Sequence, residues 1–287
     1  MDKIASPSKT KEIVSKYGFH FSKSLGQNFL IDNNIIDKII NGARITENSY
    51  VLEIGPGIGS LTQGLAEVAK KVVAVEIDQK LIPILSETLK DYNNTEIINK
   101  DVLKLDLHSL INEKLDDKET IVVGNLPYYI TTPIIMKFLE EKVPVKAIII
   151  MIQKEVAERM KAKAGTKDYG ALSVAVQYYC NVETVLNVPP SVFIPQPKVE
   201  SSVIRLEVLT KPRVAVEREE LFFQVVKDSF GKRRKTLLNA LSSGKLQINK
   251  ELLKETLATC GIDEKRRGET LSIEEFAQLS NELSKIL

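Results

Sequence analysis

The sequence predicts an α/β fold: a Rossmann-like, mostly parallel sheet of seven strands, followed by a small helical domain. Three observations carry that expectation. Short runs rich in Val and Ile recur without polar alternation, the pattern of strands covered on both faces. Helical periodicity fills the spaces between them, which calls for parallel strands joined by crossover helices. After about residue 208 the strand-type runs cease and a helical period takes over.

In chain order, "YVLEIG" (50–55) precedes a helix with Leu61, Leu65 and Val68 on one face. "KVVAVEI" (71–77) precedes a second helix carrying Leu81, Ile84, Leu85 and Leu89. "EIINKD" (96–101), "TIVVGN" (120–125) and "VKAIIIMI" (145–152) continue the series. Two further strands are expected around 174–186 and 201–208, with no clear helix between them, so an antiparallel pair fits the sheet edge. The expected domains are therefore 1–208 and 209–287. In the second, Leu221, Phe222, Val225 and Val226 share a helix face, and Leu237, Leu238 and Leu241 continue it. Ser272 and Glu275 fit a capping box ahead of Phe276, Leu279 and Leu283.

The bulk properties set limits. The chain has 287 residues, 43% of them hydrophobic, with 40 basic and 38 acidic side chains for a net charge of +2. That balance neither demands nor excludes a nucleic-acid partner; the distribution of charge must decide. Cys180 and Cys260 are isolated, and with His20 and His108 they make no zinc set, so no metal is expected. The N-terminus is polar and lysine-rich without an apolar core, and no run reaches the roughly 18 apolar residues of a membrane span. A soluble, cytoplasmic protein without a membrane partner is expected, and a monomer.

"LEIGPGIGSLT" sets Gly55, Gly57 and Gly59 between the first strand and its helix. Ligands of open α/β sheets bind at the carboxyl ends of the strands, beside such a turn. Glu76 ends the next strand, where its carboxylate suits ribose hydroxyls. A dinucleotide is the competing ligand. Against it stand the G-x-G-x-G spacing, Glu53 just before the loop, and a further acid, Asp101, closing the third strand. No G-K-[ST] follows the glycines, so a phosphate loop is excluded. Carboxylates suit a ligand that combines an adenosine, an ammonium and a sulfonium, which is S-adenosylmethionine.

The fourth strand ends in "VGNLPYYITTP" (123–133). Asn125 offers a side-chain carbonyl and Leu126 a backbone carbonyl. Pro127 stiffens the loop, and Tyr128 supplies a flat face. Two acceptors and a ring describe a clamp for a planar base with an exocyclic amino group. An aryl amine is a poor nucleophile, and its nitrogen gains positive charge as it is methylated. Carbonyl dipoles aimed at its hydrogens stabilise that charge.

With these motifs assembled, the chain resembles the ribosomal RNA adenine N6,N6-dimethyltransferases of the small subunit, from about residue 20 to the end. "KSLGQNFLID" (23–32) resembles the family's N-terminal segment, which closes over the cofactor. "VLEIGPGIGSLT", "VVAVEID", "NKDVL" and "VGNLPYYITTPIIMKFL" resemble its cofactor and catalytic motifs. "MIQKEVAERM", "YGALSV", "VPPSVFIPQPKVESSVIRL" and "RRKTLLNAL" follow in the family's order. The resemblance implies a class I methyltransferase fold. It also implies that two adjacent adenosines near the 3′ end of 16S rRNA are dimethylated in the immature 30S subunit. It implies cofactor contacts at Asn28, Leu30, Gly55, Glu76, Asp101 and Asn125, with Gly57, Ile77 and Val102 beside them. Asn125, Leu126, Pro127 and Tyr128 would handle the target amine, and Phe193 would be a second stacking face.

Basic runs mark where RNA would lie: Lys232, Arg233, Arg234 and Lys235 in one, Lys265, Arg266 and Arg267 in another. Lys154, Arg159, Lys161 and Lys163 add charge after the fifth strand. Such residues would position RNA through its phosphates without selecting a base. Three alternatives stay open: a large-subunit rRNA methyltransferase of the macrolide-resistance type, a DNA amino-methyltransferase, and a ribosome-assembly factor whose catalysis is secondary.

Overall fold

The computed structural model describes residues 3–22, 25–116 and 119–287. Lys23 and Ser24, at the head of the expected N-terminal segment, lie outside the described residues.

The first helix, α1 (Pro7–Lys16), starts where the Ser6 hydroxyl accepts from the Lys9 N–H at 3.2 Å. Next come β1 (Phe29–Leu30) and α2 (Asn33–Ala43), the latter capped by Asp32. The alternating series runs β2 (Tyr50–Ile54), α3 (Ser60–Val68), β3 (Lys71–Glu76), α4 (Ile82–Thr88), β4 (Thr95–Asn99), α5 (Leu107–Lys114), β5 (Thr120–Asn125), α6 (Tyr128–Glu140), β6 (Ala147–Gln153). After it come α7 (Lys154–Lys161), α8 (Ala171–Tyr179), β7 (Cys180–Val188), β8 (Phe193–Ile194) and β9 (Ser201–Val208). The chain ends in α9 (Glu219–Gly231), α10 (Leu237–Ser242), α11 (Lys250–Thr259) and α12 (Ile273–Ser284).

The main sheet has seven strands in the order β4-β3-β2-β5-β6-β9-β7. The pairs from β4 to β6 are parallel, and β9 runs antiparallel to β6. This is the Rossmann-like sheet expected. Apart from Glu53 and the residues at their ends, its central strands are apolar because helices cover both faces: Val51, Leu52, Val72, Val73, Val122 and Ile148 are wholly buried. A separate two-stranded sheet pairs β1 with β8, Leu30 opposite Phe193.

Two readings of local structure differ from expectation. Residues 174–179 form the end of a helix, and the strand begins only at Cys180. Helix α8 buries Val174, Val176, Tyr178 and Tyr179, so no polar face survives to betray its period. On α3, Val68 is 38% exposed while Leu61 and Leu65 are buried.

The chain divides into two compact units: Met1–Ala157 with Glu183–Val208, and Glu158–Val182 with Leu209–Leu287. The boundary at 208/209 is joined by an excursion, 158–182, that packs with the C-terminal helices. Aromatic contacts hold it there. The Tyr178 ring lies 5.0 Å from that of Phe222, and the Tyr179 ring 5.8 Å from that of Phe223. In the same unit the Ser272 N–H donates to Glu275 at 2.8 Å and the Glu275 N–H donates back to Ser272 Oγ at 3.2 Å, completing the capping box.

Gly268 sits where a Cβ would come within 2.7 Å of the Ser229 carbonyl oxygen. Backbone cannot yield as a side-chain tip does, so Gly268→Ala is expected to cost about 1–3 kcal/mol. Gly231, with open space around its missing Cβ, is the control: Gly231→Ala is expected to be neutral or to stabilise by up to about 1 kcal/mol. Urea unfolding of the two variants checks the contrast, and equal midpoints would refute it.

Candidate active site

Ile54 of β2 lies level with Val75 of β3 and Gly124 of β5. Asn125 lies level with Met151, and Glu76 with Asn99. The carboxyl ends of these strands therefore open onto one pocket, which Gly55, Glu76, Asp101 and Asn125 all line. Gly55, Gly57 and Gly59 have φ of 71°, 62° and 92°, the left-handed region that disfavours other residues. A Cβ on Gly55 would stand 3.2 Å from Leu126, and one on Gly57 3.1 Å from the Phe29 ring. Glu76 fastens this loop: one carboxylate oxygen accepts from the Gly57 N–H at 3.2 Å, the other from the Asp78 N–H at 2.8 Å.

Asp101 is held by the Leu103 N–H at 3.0 Å and lies 3.9 Å from Lys104. Beside it Val102 is buried, while Ile77 is an apolar wall left 52% exposed. Such a side chain suits the face of a flat ring.

Glu53 holds a surprise. It is 1% exposed, and its Oε2 has no hydrogen-bond partner. Burial, reinforced by the charge of Glu76, pushes its pKa up to about 8. Burial likewise raises that of Glu76. Counting Glu53 against a dinucleotide presumes a full charge, whereas burial favours its protonated form at neutral pH. Its orphaned Oε2 is a buried polar atom without a partner, and a cation placed there would favour the ionised, accepting form. These residues fit a ligand that joins a nucleoside to a positive charge, as S-adenosylmethionine does. Among the described residues no His, Cys, Asp and Glu cluster could hold a metal.

At the end of β5 the Asn125 amide donates from Nδ2 to the Asn28 carbonyl at 3.1 Å. Its own carbonyl oxygen has no partner among the described residues, so it remains an acceptor. Leu126 is 5% exposed and packs under Gly55. The Tyr128 hydroxyl and Ser201 Oγ are 2.8 Å apart, which fixes the ring at the pocket wall. Tyr129 lines the same pocket and is 62% exposed. Phe193 also lines it, but is 2% exposed and belongs to the apolar core as well.

Segment 25–30 contributes contacts that no local signal in the sequence announces. Gln27 Nε2 donates to Asp78 at 2.8 Å, Gly26 abuts Pro127, and Leu30 and Phe193 are strand partners. Gln27 and Asp78 lie far apart in sequence, and only the folded sheet brings them together.

The basic candidates are differently disposed. Lys154 follows β6 and pairs with Glu200 at 2.8 Å; Arg159 is exposed. In the C-terminal unit Lys232, Arg233, Arg234 and Lys235 are all exposed after α9. Of these, Lys232 reaches Ser243 at 2.9 Å and Arg233 pairs with Glu269 at 2.8 Å. Arg267 is exposed, whereas Arg266 is committed to structure: its Nη2 meets Glu275 at 2.9 Å and the Thr270 carbonyl at 2.7 Å.

A family model described as ribosomal RNA adenine dimethylase matches residues 18–285. The chain belongs to that family. It is 68% identical to the ribosomal RNA small subunit methyltransferase A of Alkaliphilus oremlandii, over all of both chains. It is 59% identical to the protein of that name from Clostridioides difficile, covering 98% of this chain and 97% of that one. Among solved structures it resembles a dimethyladenosine transferase from Plasmodium falciparum, with a TM-score of 0.76, 29% identity, and 90% and 98% of the two chains covered. The 23S rRNA methyltransferase ErmE is also similar, with a TM-score of 0.67, 27% identity, and 89% and 99% covered. The sheet and pocket described above are thus those of a methyltransferase of the rRNA adenine dimethylase family.

An unfolded Glu53 titrates near 4.5 and the folded one near 8. Between those values the folded chain keeps a proton that the unfolded chain has lost, so this group lowers stability as pH rises through the window. Glu53→Gln removes the effect. Urea unfolding at pH 5 and pH 8 is expected to show the variant gaining on the parent as pH rises; parallel curves would count against a buried, protonated Glu53.

Proposed function

We propose that the chain transfers methyl groups from S-adenosylmethionine to N6 of two adjacent adenosines in the 3′-terminal hairpin loop of 16S rRNA. Each would become N6,N6-dimethyladenosine. The substrate would be the immature 30S subunit in the cytoplasm, and the enzyme a monomer. The observation that carries this reading is the Asn125 amide. Its donor end is spent on the Asn28 carbonyl, so its acceptor end is left for a substrate N–H in a pocket built for a charged nucleoside. The small-subunit names of the relatives at 68% and 59% identity support the choice of substrate over the large subunit.

When bound, S-adenosylmethionine supplies an electrophilic methyl group on a sulfonium. The residues that would hold it are Glu53 and the glycine loop, Glu76, Ile77, Asp101 and Val102, with Asn28 and Leu30 from the N-terminal segment. The chain's own part is alignment and electrostatics. Asn125 Oδ1 and the Leu126 carbonyl accept the hydrogens of the target amine and stabilise the positive charge that develops on its nitrogen. Tyr128, tethered to Ser201, gives the adenine a fixed face on which to stack, and Phe193 bounds the pocket. No strong base is needed; holding the amine in line with the methyl supplies much of the rate. The adenine must leave its stack to arrive, at a cost on the order of a few kcal/mol that a hairpin loop reduces.

Asn125→Ala is expected to lower methyl transfer by about 10²–10³-fold, the loss typical when one preorganised polar group is removed. Binding to small subunits should persist. The assay supplies labelled methyl donor to small subunits lacking the modification and identifies nucleosides by mass. Dimethyladenosine in 16S rRNA from the parent chain alone is the expected result. Label found only in 23S rRNA would transfer the enzyme to the large-subunit group. Full rescue of ribosome maturation by the inactive variant would make assembly its main role.

A further inference from the structure

The C-terminal unit contains a second cleft, of about 420 Å³, lined wholly by its own residues. Lys161 and Lys163 border it, with Arg213, Tyr169 and the start of α12 at Ser272–Glu274. Tyr169 is 3% exposed, and its hydroxyl has no hydrogen-bond partner. Burial raises the pKa of that hydroxyl well above the ordinary tyrosine value, so it stays a donor at neutral pH. A buried donor without a partner destabilises a fold unless a ligand satisfies it.

The surrounding groups favour an anion. Arg213 is posed by its Nε on the Gln177 carbonyl at 2.8 Å, and by Nη2 on the Cys180 carbonyl at 3.1 Å and Asn181 Oδ1 at 2.9 Å. Its Nη1 is unspent among the described residues. The Ser272 hydroxyl caps α12 through the Glu275 N–H, which leaves the first N–H groups of that helix without partners inside it. The charges then select the anion. Three cations line the cleft. Lys161 is already paired with Glu158 at 2.8 Å, Glu274 on the rim offsets another, and Glu275, the second carboxylate whose charge reaches the Tyr169 hydroxyl, is paired with Arg266. One positive charge is left over, which matches the single charge of a phosphodiester better than a phosphate dianion.

We propose that this cleft binds a backbone phosphate of the RNA substrate, with the Tyr169 hydroxyl as its buried donor and Lys163 and Arg213 as its counter-charges. The proposal rests on the RNA-methylating reading above. It adds a site that anchors the RNA by its backbone and contributes no base selection.

The full-length chain is titrated with a 3′-terminal 16S rRNA hairpin by fluorescence anisotropy across a range of KCl. Lys163→Glu is expected to weaken binding about tenfold at low salt and to reduce the slope of log K against log salt by about one. Tyr169→Phe deletes a hydroxyl that has no partner to lose, so its unfolding midpoint should hold or rise while RNA affinity falls several-fold. S-adenosylmethionine affinity, measured by calorimetry, reports that both variants are intact. Variants that bind the hairpin as the parent does overturn the proposal, even while the parent methylates subunits normally. The RNA assignment also falls if inorganic phosphate binds the parent, is lost with Tyr169→Phe, and hairpin affinity is unchanged. A parent chain that neither binds nor methylates rRNA would instead refute the underlying function.

Discussion

Parallel pairing of β2 on both its sides is the constraint from which the site follows. With Val75 and Gly124 level with Ile54, three strands run out at one height, and their loops cannot avoid sharing a crevice. The chain leaving β2 must turn at once to start a covering helix. Gly55 and Gly57 turn it in the left-handed region, close against Leu126 and Phe29. The chain leaving β3 delivers Glu76, whose carboxylate takes the Gly57 N–H. The chain leaving β5 delivers Asn125. The glycine loop, Glu76 and Asn125 are thus neighbours because of register, although whole helices separate them in sequence.

That register also explains which parts were legible beforehand. Strands buried on both faces have no polar alternation, so β2, β3, β5 and β6 stand out as apolar runs, and the punctuation at their ends falls on the glycine loop, Glu76 and "NLPYY". Helix α8 was missed for the converse reason. Tyr178 and Tyr179 pack on Phe222 and Phe223, other faces are buried too, and a run of Val, Tyr and Cys then looks like a strand. The same aromatic packing draws 158–182 to the C-terminal helices, an affinity that no local feature encodes. Charge was legible only as composition. Whether Glu53 is ionised depends on burial, and whether Arg266 is available depends on Glu275 and Thr270, neither of which adjoins it in sequence.

The N-terminal segment gives the site its rigidity. It meets the crevice from two sides: Gln27 holds Asp78 beyond β3, and the Asn28 carbonyl holds the Asn125 amide beyond β5. Each bond spans elements that the sheet alone would leave with loose loops. A side chain held by its donor end needs little reorganisation when charge appears in front of its acceptor end, and such preorganisation is where polar groups gain most of their catalytic effect.

The same bond accounts for an amide at position 125 in a pocket otherwise rich in carboxylates. Asn125 must donate on one side, to a carbonyl 3.1 Å away, and accept on the other. A carboxylate accepts on both sides. It would set two oxygens against each other across that gap and lose the contact that orients it. It would also add a negative charge to a pocket already lined by Glu53, Glu76 and Asp101. A hydroxyl is too short to bridge the two partners. Only an amide of this length supplies donor, acceptor and neutrality together, so the residue type at the end of β5 is set as much by the Asn28 carbonyl behind it as by the chemistry in front.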